Sequence, residues 1–340
     1  MRETVALPVS DPSRTGEARR IAATLAERAG FDDVGRGRVA LVATELANNL
    51  IQHAGGGELV LSLVHGRGVG GVEVLSLDKG PGMADFARCR VDGYSTGGTP
   101  GNGLGAVARV ADEFDAETGP GRGSVLWARL WASARPPAPP GGELEWGGVC
   151  LPVAGELECG DGWAVVEESP WKSTVMVVDG LGHGPPAAEA ADRALGVMQG
   201  AAGLPPADVV RLAHEALKGT RGAALSVASI DRGRREVRFC GVGNIAAAVL
   251  GVDARHGLIS LSGIVGLEIR KPQEFAQPWP DGALMVLHSD GITARWKLDR
   301  RTPLASRPAP LVAGALYRDH SRGRDDSTVV VARDRRRPPS

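Results

Sequence analysis

The segment "ASARPPAPPGGE", residues 132–143, carries four prolines within five residues near the middle of a 340-residue chain. Proline lacks a backbone N–H and fixes φ, so neither a helix nor a central strand runs through such a stretch, and it reads as a semi-rigid connector. It divides the chain into parts of about 130 and about 200 residues, each an ordinary domain size. The expected organisation is a domain over 1–131, a linker over 132–142, a domain over 143–334 and a tail over 335–340. A hydrophobic content of 43% provides for a packed core in each part, and a formal net charge of −1 gives no field to gather nucleic acid or a membrane surface. The start, "MRETVALPVSDPSR", has no signal-peptide core, and no apolar run is long enough to cross a bilayer. Cys89, Cys150, Cys159 and Cys240 form no CxxC pair, which fits reduced, buried thiols in a cytoplasmic protein.

In the first part, "GRGRVALVATELANNLIQHAGGG" (35–57) places Val39, Val42, Leu46 and Leu50 at helical spacing, and the glycines at 55–57 stop the helix. "ELVLSLV" (58–64) and "GVEVLSLDKGPGM" (71–83) alternate as the two strands of a hairpin, and "SVLWARLW" (124–131) reads as a further strand. Helices against one face of a mostly antiparallel sheet follow, an α+β sandwich. Glu45 and Asn49 lie four residues apart on one helix face, with Asn48 and Gln52 beside them. Asp78 ends a strand in "DKGPG". The stretch "YSTGGTPGNGLGAVARVADEFD" (94–115) is glycine-rich and then turns helical, with Leu104, Val107, Ala111 and Phe114 on one apolar face. Bare backbone N–H groups in front of a helix N-terminus make an anion site, for which a chain of phosphates is the natural occupant. Asp78 would take the exocyclic amine of a purine, Asn49 a metal ion bridging the phosphates, and Glu45 the proton of an attacking hydroxyl.

The order "ELANN", "DKGPGM", "DGYSTGGTPGNGLGAVARVADEFD", "GRGSVL" resembles the GHKL ATPases, whose fold is a Bergerat-type α/β sandwich. Within them it is similar to the RsbT-type switch kinases of bacterial partner-switching systems. The resemblance covers residues 1 to 131. It implies Glu45 as the catalytic carboxylate, Asn49 as the magnesium ligand and Asp78 as the adenine reader. Gly80 and Gly82 would lie beneath the base, and Gly101, Gly103 and Gly105 would serve as lid glycines. Ser124 stands where many members have Thr. ATP with Mg2+ is the implied cofactor.

In the second part, "ECGDGW" (158–163), "STVMVVDGLGHG" (173–184), "LMVLHSDGI" (284–292) and "GRDDSTVVV" (323–331) set acidic residues at the ends of strand-like runs. Two helical stretches, "PPAAEAADRALGVMQG" and "ADVVRLAHEALKG", and several short β segments lie between them, suggesting a layered α+β fold with the acidic turns at one sheet edge. Asp161, Asp179, Asp290 and Asp325 offer only oxygen, which favours magnesium or manganese over zinc. Clustered carboxylates repel one another unless a dication neutralises them.

This pattern resembles the metal-dependent protein phosphatases of the SpoIIE/RsbX type (PPM), across roughly 143–334, and implies an α-β-β-α layered sandwich. Asp179 would bridge two Mn2+ or Mg2+ ions, Gly180 would lend its carbonyl, and Asp161, Asp290, Asp325 and Asp326 would complete the metal site, Asp326 at a position that is often Asn. The implied chemistry is hydrolysis of phosphoserine or phosphothreonine. His183 is either the acid for the leaving alkoxide or a loop-stabilising group, His288 is structural, and no arginine is fixed by motif as a phosphate clamp. The resemblance implies a bifunctional kinase and phosphatase acting on a STAS-domain protein, an anti-sigma antagonist or stressosome-like scaffold, with a sigma factor or other switch target as a further partner. Two alternatives stay open: an ATP-binding module that sequesters a sigma factor, or one that gates the phosphatase.

Overall fold

A computed structural model describes residues 3–66, 68–89, 103–133, 144–252 and 254–335. The chain splits into two compact units, Met1–Pro139 and Pro140–Ser340. The linker residues 134–143 and the glycine-loop residues 90–102, with Gly101, lie outside the described residues.

The first unit runs β1 (Thr4–Val9), α1 (Ser13–Arg28), α2 (Asp33–Asn49), β2 (Gly57–Gly66), β3 (Val69–Asp78), α3 (Phe86–Cys89), α4 (Gly103–Val110), β4 (Glu113–Thr118) and β5 (Ser124–Trp131). Its five strands form an antiparallel sheet in the order β1-β2-β3-β5-β4. Side chains alternate across a strand. Leu59 and Leu61, Val72 and Val74, and Leu126, Ala128 and Leu130 therefore share one face, where they pack with Leu25 of α1 and Val39, Val42 and Leu46 of α2. On the other face Glu73 accepts from Trp127 Nε1 at 2.9 Å and from Arg129 Nε at 3.0 Å.

Asp32 caps α2, its Oδ1 accepting from Gly35 N at 2.7 Å. Beyond Asn49 the helix widens into one π-helical turn, Leu50–Ala54, and stops at Gly55, whose φ of 73° is left-handed. The helix behind the glycine loop is shorter than its apolar spacing suggests. It ends at Val110, and Phe114 lies on β4, packed edge-on against Phe86 with ring centroids 5.6 Å apart. Arg38 donates to the Val110 carbonyl at 2.6 Å, and Asp112 Oδ2 accepts from Trp131 N at 2.7 Å, which turns the chain into the sheet.

The second unit runs β6 (Leu144–Leu151), β7 (Asp161–Ser169), β8 (Lys172–Gly180), α5 (Pro185–Met198), α6 (Pro206–Ala216), β9 (Ala223–Asp231), β10 (Glu236–Val242), β11 (Ala246–Leu250), β12 (Arg255–Leu258), β13 (Ser260–Leu261), β14 (Gly263–Ile264), β15 (Glu268–Ile269), β16 (Phe275–Pro278), β17 (Leu284–His288), α7 (Ala309–His320) and β18 (Ser327–Asp334). One sheet has the order β13-β10-β9-β8-β7, with β16 also on β10; the other has β12-β11-β17-β18-β6. Between them lies a shared core in which Val175, Val177, Ile230 and Phe239 of the first sheet meet Val249, Met285, Leu287 and Val330 of the second. The outer face of the first sheet packs Met176, Val178 and Val227 against Ala190 and Ala194 of α5 and Val210 and Ala213 of α6. Helix α7 lies on β6 and β18, completing four layers, α-β-β-α. The acidic turns therefore do not share one sheet edge: β7 and β8 bring two of them, β17 and β18 the others.

Candidate functional sites in the two units

In the first unit the site grows from the end of β3. Asp78 is 4% exposed, and its Oδ1 accepts from Gly80 N at 2.8 Å and Ser124 N at 3.1 Å. Ser124 is its cross-strand partner, and the Ser124 hydroxyl lies 2.9 Å from that of Thr118. Thr118 also accepts from Met83 N at 2.8 Å, so a threonine hydroxyl enters this corner from β4 and not from position 124. Sequence reasoning passed over Thr118; its register opposite Ser124 is the signal.

Both glycines of "KGPG" are forced by close approach. A Cβ on Gly80 would lie 2.7 Å from Ala54 Cα, and one on Gly82, at φ 69°, only 2.1 Å from the Gly119 carbonyl oxygen. The π-helical turn after Asn49 thus abuts the loop after Asp78. Asn49 is half-buried at the end of α2, and Glu45 lies one turn earlier. A Cβ on Gly103 would fall 2.8 Å from Glu45 Oε2, so this carboxylate sits against the first residue of α4, at its positive end. Gly105 is buried within α4. Asn48 accepts from the Thr15 hydroxyl at 3.2 Å and ties α2 to α1, whereas Gln52 is exposed.

In the second unit Asp161 and Asp179 are directly opposite in the β7–β8 ladder. Asp161 is buried and accepts from the Ser289 hydroxyl at 2.6 Å; that hydroxyl in turn accepts from Thr328 N at 3.0 Å, which joins the two sheets at this point. Burial, and then the charge of Asp179, hold the Asp161 carboxyl well above the usual carboxylate range. Asp179 is pushed up to about 7, first by burial and then by Asp290, Asp325 and Asp326. Asp290 accepts from Asn244 Nδ2 at 2.7 Å, and Asp325 is exposed. A Cβ on Gly180 would lie 2.3 Å from the Ala187 carbonyl oxygen, so the approach of α5 alone requires glycine there.

Asp326 departs from the ligand role expected of it. Its Oδ1 accepts from Val153 N at 2.7 Å and its Oδ2 from Gly160 N at 2.6 Å. Both oxygens clasp the loop that leads into Asp161. His183 is exposed, and its Nδ1 lies 2.7 Å from Glu156 Oε1, on that same clasped loop. His288 is buried, its Nδ1 donating to the Ser289 carbonyl at 2.8 Å, and burial lowers its pKa. The thiols are less buried than the sequence suggests: Cys240 alone of the four is fully buried, and Cys150 and Cys159 lie with their sulfurs 3.7 Å apart.

Among the described residues no group of three His, Cys, Asp or Glu side chains closes around a single point at metal-ligating distances. The Asp161–Asp179 pairing nevertheless brings carboxylates together, the charges of Asp290, Asp325 and Asp326 act on Asp179, and hard oxygen as the donor fits divalent cations.

Residues 9–130 match the histidine kinase-like ATPase domain, and residues 169–335 match the family of stage II sporulation protein E, SpoIIE. Over 114 residues the chain is 35% identical to the serine/threonine-protein kinase RsbT of Bacillus subtilis, covering 34% of this chain and 86% of that protein. Over 139 residues it is 23% identical to the phosphoserine phosphatase RsbX of the same organism, covering 41% of this chain and 69% of that protein. A solved structure from the bacterial stressosome, a modular system adapted to control secondary messenger signalling, is similar with a TM-score of 0.51 and 29% identity, over 56% of this chain and all of that one.

The chain joins the RsbT-like ATPase family to the SpoIIE phosphatase family. Its first unit is accordingly a GHKL-type ATPase domain. Its second unit is a PP2C-type serine phosphatase domain, as the four layers and the converging carboxylates befit. No described helix is long and apolar enough to cross a membrane.

Proposed function

We propose that the protein is a two-headed partner-switching regulator. Residues 1–131 carry an ATP-dependent serine/threonine kinase, residues 143–334 a metal-dependent phosphoserine/phosphothreonine phosphatase, and 132–142 join them. The observation that carries this reading is that Asp161 lies opposite Asp179 in one sheet and accepts from Ser289, the neighbour of Asp290 in the other, at 2.6 Å. Two Mn2+ or Mg2+ ions would be held by Asp161, Asp179, Asp290 and Asp325, with the Gly180 carbonyl. When bound, such a pair polarises water and draws charge from the phosphate. His183, whose Nδ1 lies 2.7 Å from Glu156 Oε1, would return a proton to the leaving serine or threonine oxygen.

In the first head Asp78 receives the adenine amine, Asn49 holds the magnesium of ATP, and Gly80, Gly82, Gly101, Gly103 and Gly105 let the nucleotide approach the backbone. Glu45, on α2 and against the first residue of α4, takes the proton of the attacking hydroxyl. The kinase RsbT and the stressosome structure support a STAS-domain protein as the phosphorylated partner, in the cytoplasm. A second reading, in which the first head only binds ATP to sequester a sigma factor or gate the phosphatase, needs Asn49 and Asp78 but no base; the carboxylate of Glu45 against Gly103 favours the kinase.

Manganese-dependent release of phosphate from the phosphorylated STAS protein tests the second head. Asp179→Ala should abolish it, and release at the wild-type rate would refute the metal assignment.

A further inference from the structure

Phosphatase chemistry needs something to hold the phosphate as well as something to attack it, and the sequence fixes no arginine for that purpose. The fold brings one to the site. The turn Leu217–Gly222, between α6 and β9, is held from within by Thr220, whose hydroxyl donates to the Leu217 carbonyl at 2.7 Å and accepts from Gly222 N at 3.0 Å. From outside, Leu181 N donates to the Gly222 carbonyl at 3.0 Å, which fastens this turn to the loop immediately after Asp179 and Gly180. Gly222 itself has a φ of 79° and no room for a side chain: a Cβ would meet Ile264 at 2.7 Å and the Val265 carbonyl oxygen at 2.8 Å.

Arg221 is thus presented from a rigid turn. Its Nη1 lies 3.0 Å from the point where a Cβ on Gly182 would stand, so the guanidinium extends over the "DGLGHG" loop between Asp179 and His183. Gly182 has a φ of 89° and leaves that space open to it. Arg221 is exposed and, among the described residues, takes part in no ion pair or hydrogen bond, although carboxylates gather around the neighbouring Asp179. A guanidinium that stays unpaired beside a metal-type carboxylate cluster is free to receive an anion brought from outside, and its planar fork matches two oxygens of a phosphate monoester.

We infer that Arg221 is the phosphate-binding residue of the second head, gripping the substrate's phosphoryl oxygens across the Gly182 loop from Asp179. The inference rests on the phosphatase reading above, and it narrows the substrate to dianionic phosphate monoesters seated between the carboxylates and this turn. Leu181, exposed beside it, gives the adjoining surface some apolar character for the polypeptide that carries the ester.

The test uses the full chain in Mn2+ with Arg221→Ala and Arg221→Lys. Two quantities are read: KM and kcat on a phosphothreonine peptide, and the affinity for inorganic phosphate by calorimetric titration. Losing a charge-assisted hydrogen bond should weaken phosphate binding and raise KM by about tenfold or more in Arg221→Ala. Arg221→Lys should recover part of the loss, and Mn2+ affinity should stay at the wild-type value in both. Unchanged phosphate affinity in Arg221→Ala overturns the inference whether or not the wild type hydrolyses the peptide. A wild type that binds phosphate through Arg221 yet hydrolyses nothing sinks only the phosphatase reading.

Discussion

At the residue scale, two positions decide most. Gly82 is caught between a left-handed backbone and the Gly119 carbonyl 2.1 Å from any Cβ, so Gly82→Ala must move one loop or the other. The expected outcome is a loss of about 2 kcal/mol or more in the first unit's stability, with weakened ATP binding, both measurable by thermal unfolding with and without nucleotide. Asp179, raised to about 7 chiefly by burial, links the second unit's stability to pH. Without cations, a folded state that keeps this proton while the unfolded chain has released it is most stable at acid pH, and the advantage is lost as pH rises through about 7. A divalent cation takes the place of that proton. Mn2+ should therefore raise the unfolding temperature of the second unit by several degrees near pH 8 and by little near pH 5; a gain independent of pH would contradict this placement.

The same scale shows what sequence can and cannot locate. Asp161 and Asp179 are visible as strand-end acids because their ladder register sets them face to face. In "DDST" the pattern could not say which carboxylate faces the site. Ahead of β18 the two part: Asp325 is exposed, whereas Asp326 accepts from the N–H groups of Val153 and Gly160. Arg221 had no signal at all, because tertiary pairing brings its turn to the site: Gly180 lies opposite Ala223 in the β8–β9 ladder, and Leu181 N donates to the Gly222 carbonyl.

At the scale of elements, local periodicity served long helices and strands well and failed at ends. Helix α2 and strand β5 were legible from their spacing, whereas the apolar repeat 104-107-111-114 ran past the true end of α4. Arg38 and Asp112, tertiary partners invisible to a period, stop that helix at Val110. Helix α7 escaped notice because Ala309–Leu316 is buried on every side and flanked by prolines, which leaves no amphipathic face to detect. The two sheets of the second unit are pinned by Arg232, after β9, and Asp334, at the end of β18, both fully buried with Nε and Oδ2 3.4 Å apart. Trp279 Nε1 donates to the same oxygen at 3.3 Å. Asp334→Ala leaves a buried guanidinium without its counter-charge and should cost about 3 kcal/mol or more, seen as a lower denaturant midpoint.

At the scale of the whole molecule, each of the two units has its own core, and two ligand responses are expected. Calorimetry of the full chain should resolve two transitions, one raised by ATP with Mg2+ and the other by Mn2+, with Asp179→Asn silencing only the second response. A single transition moved by both ligands would show that the heads unfold as one. Opposed activities on one polypeptide would turn over ATP without result if both met the same site at the same time, so the proposed kinase and phosphatase are expected to be regulated reciprocally or to address different partners. The measurement that bears most directly on this is the time course of phosphate on a STAS-domain protein incubated with labelled ATP and the wild type, Glu45→Ala or Asp179→Ala chain. The expected result is no label with Glu45→Ala and label that accumulates and persists with Asp179→Ala, above the wild-type level. Equal labelling by all three proteins would contradict the assignment of opposite phosphate chemistries to the two halves.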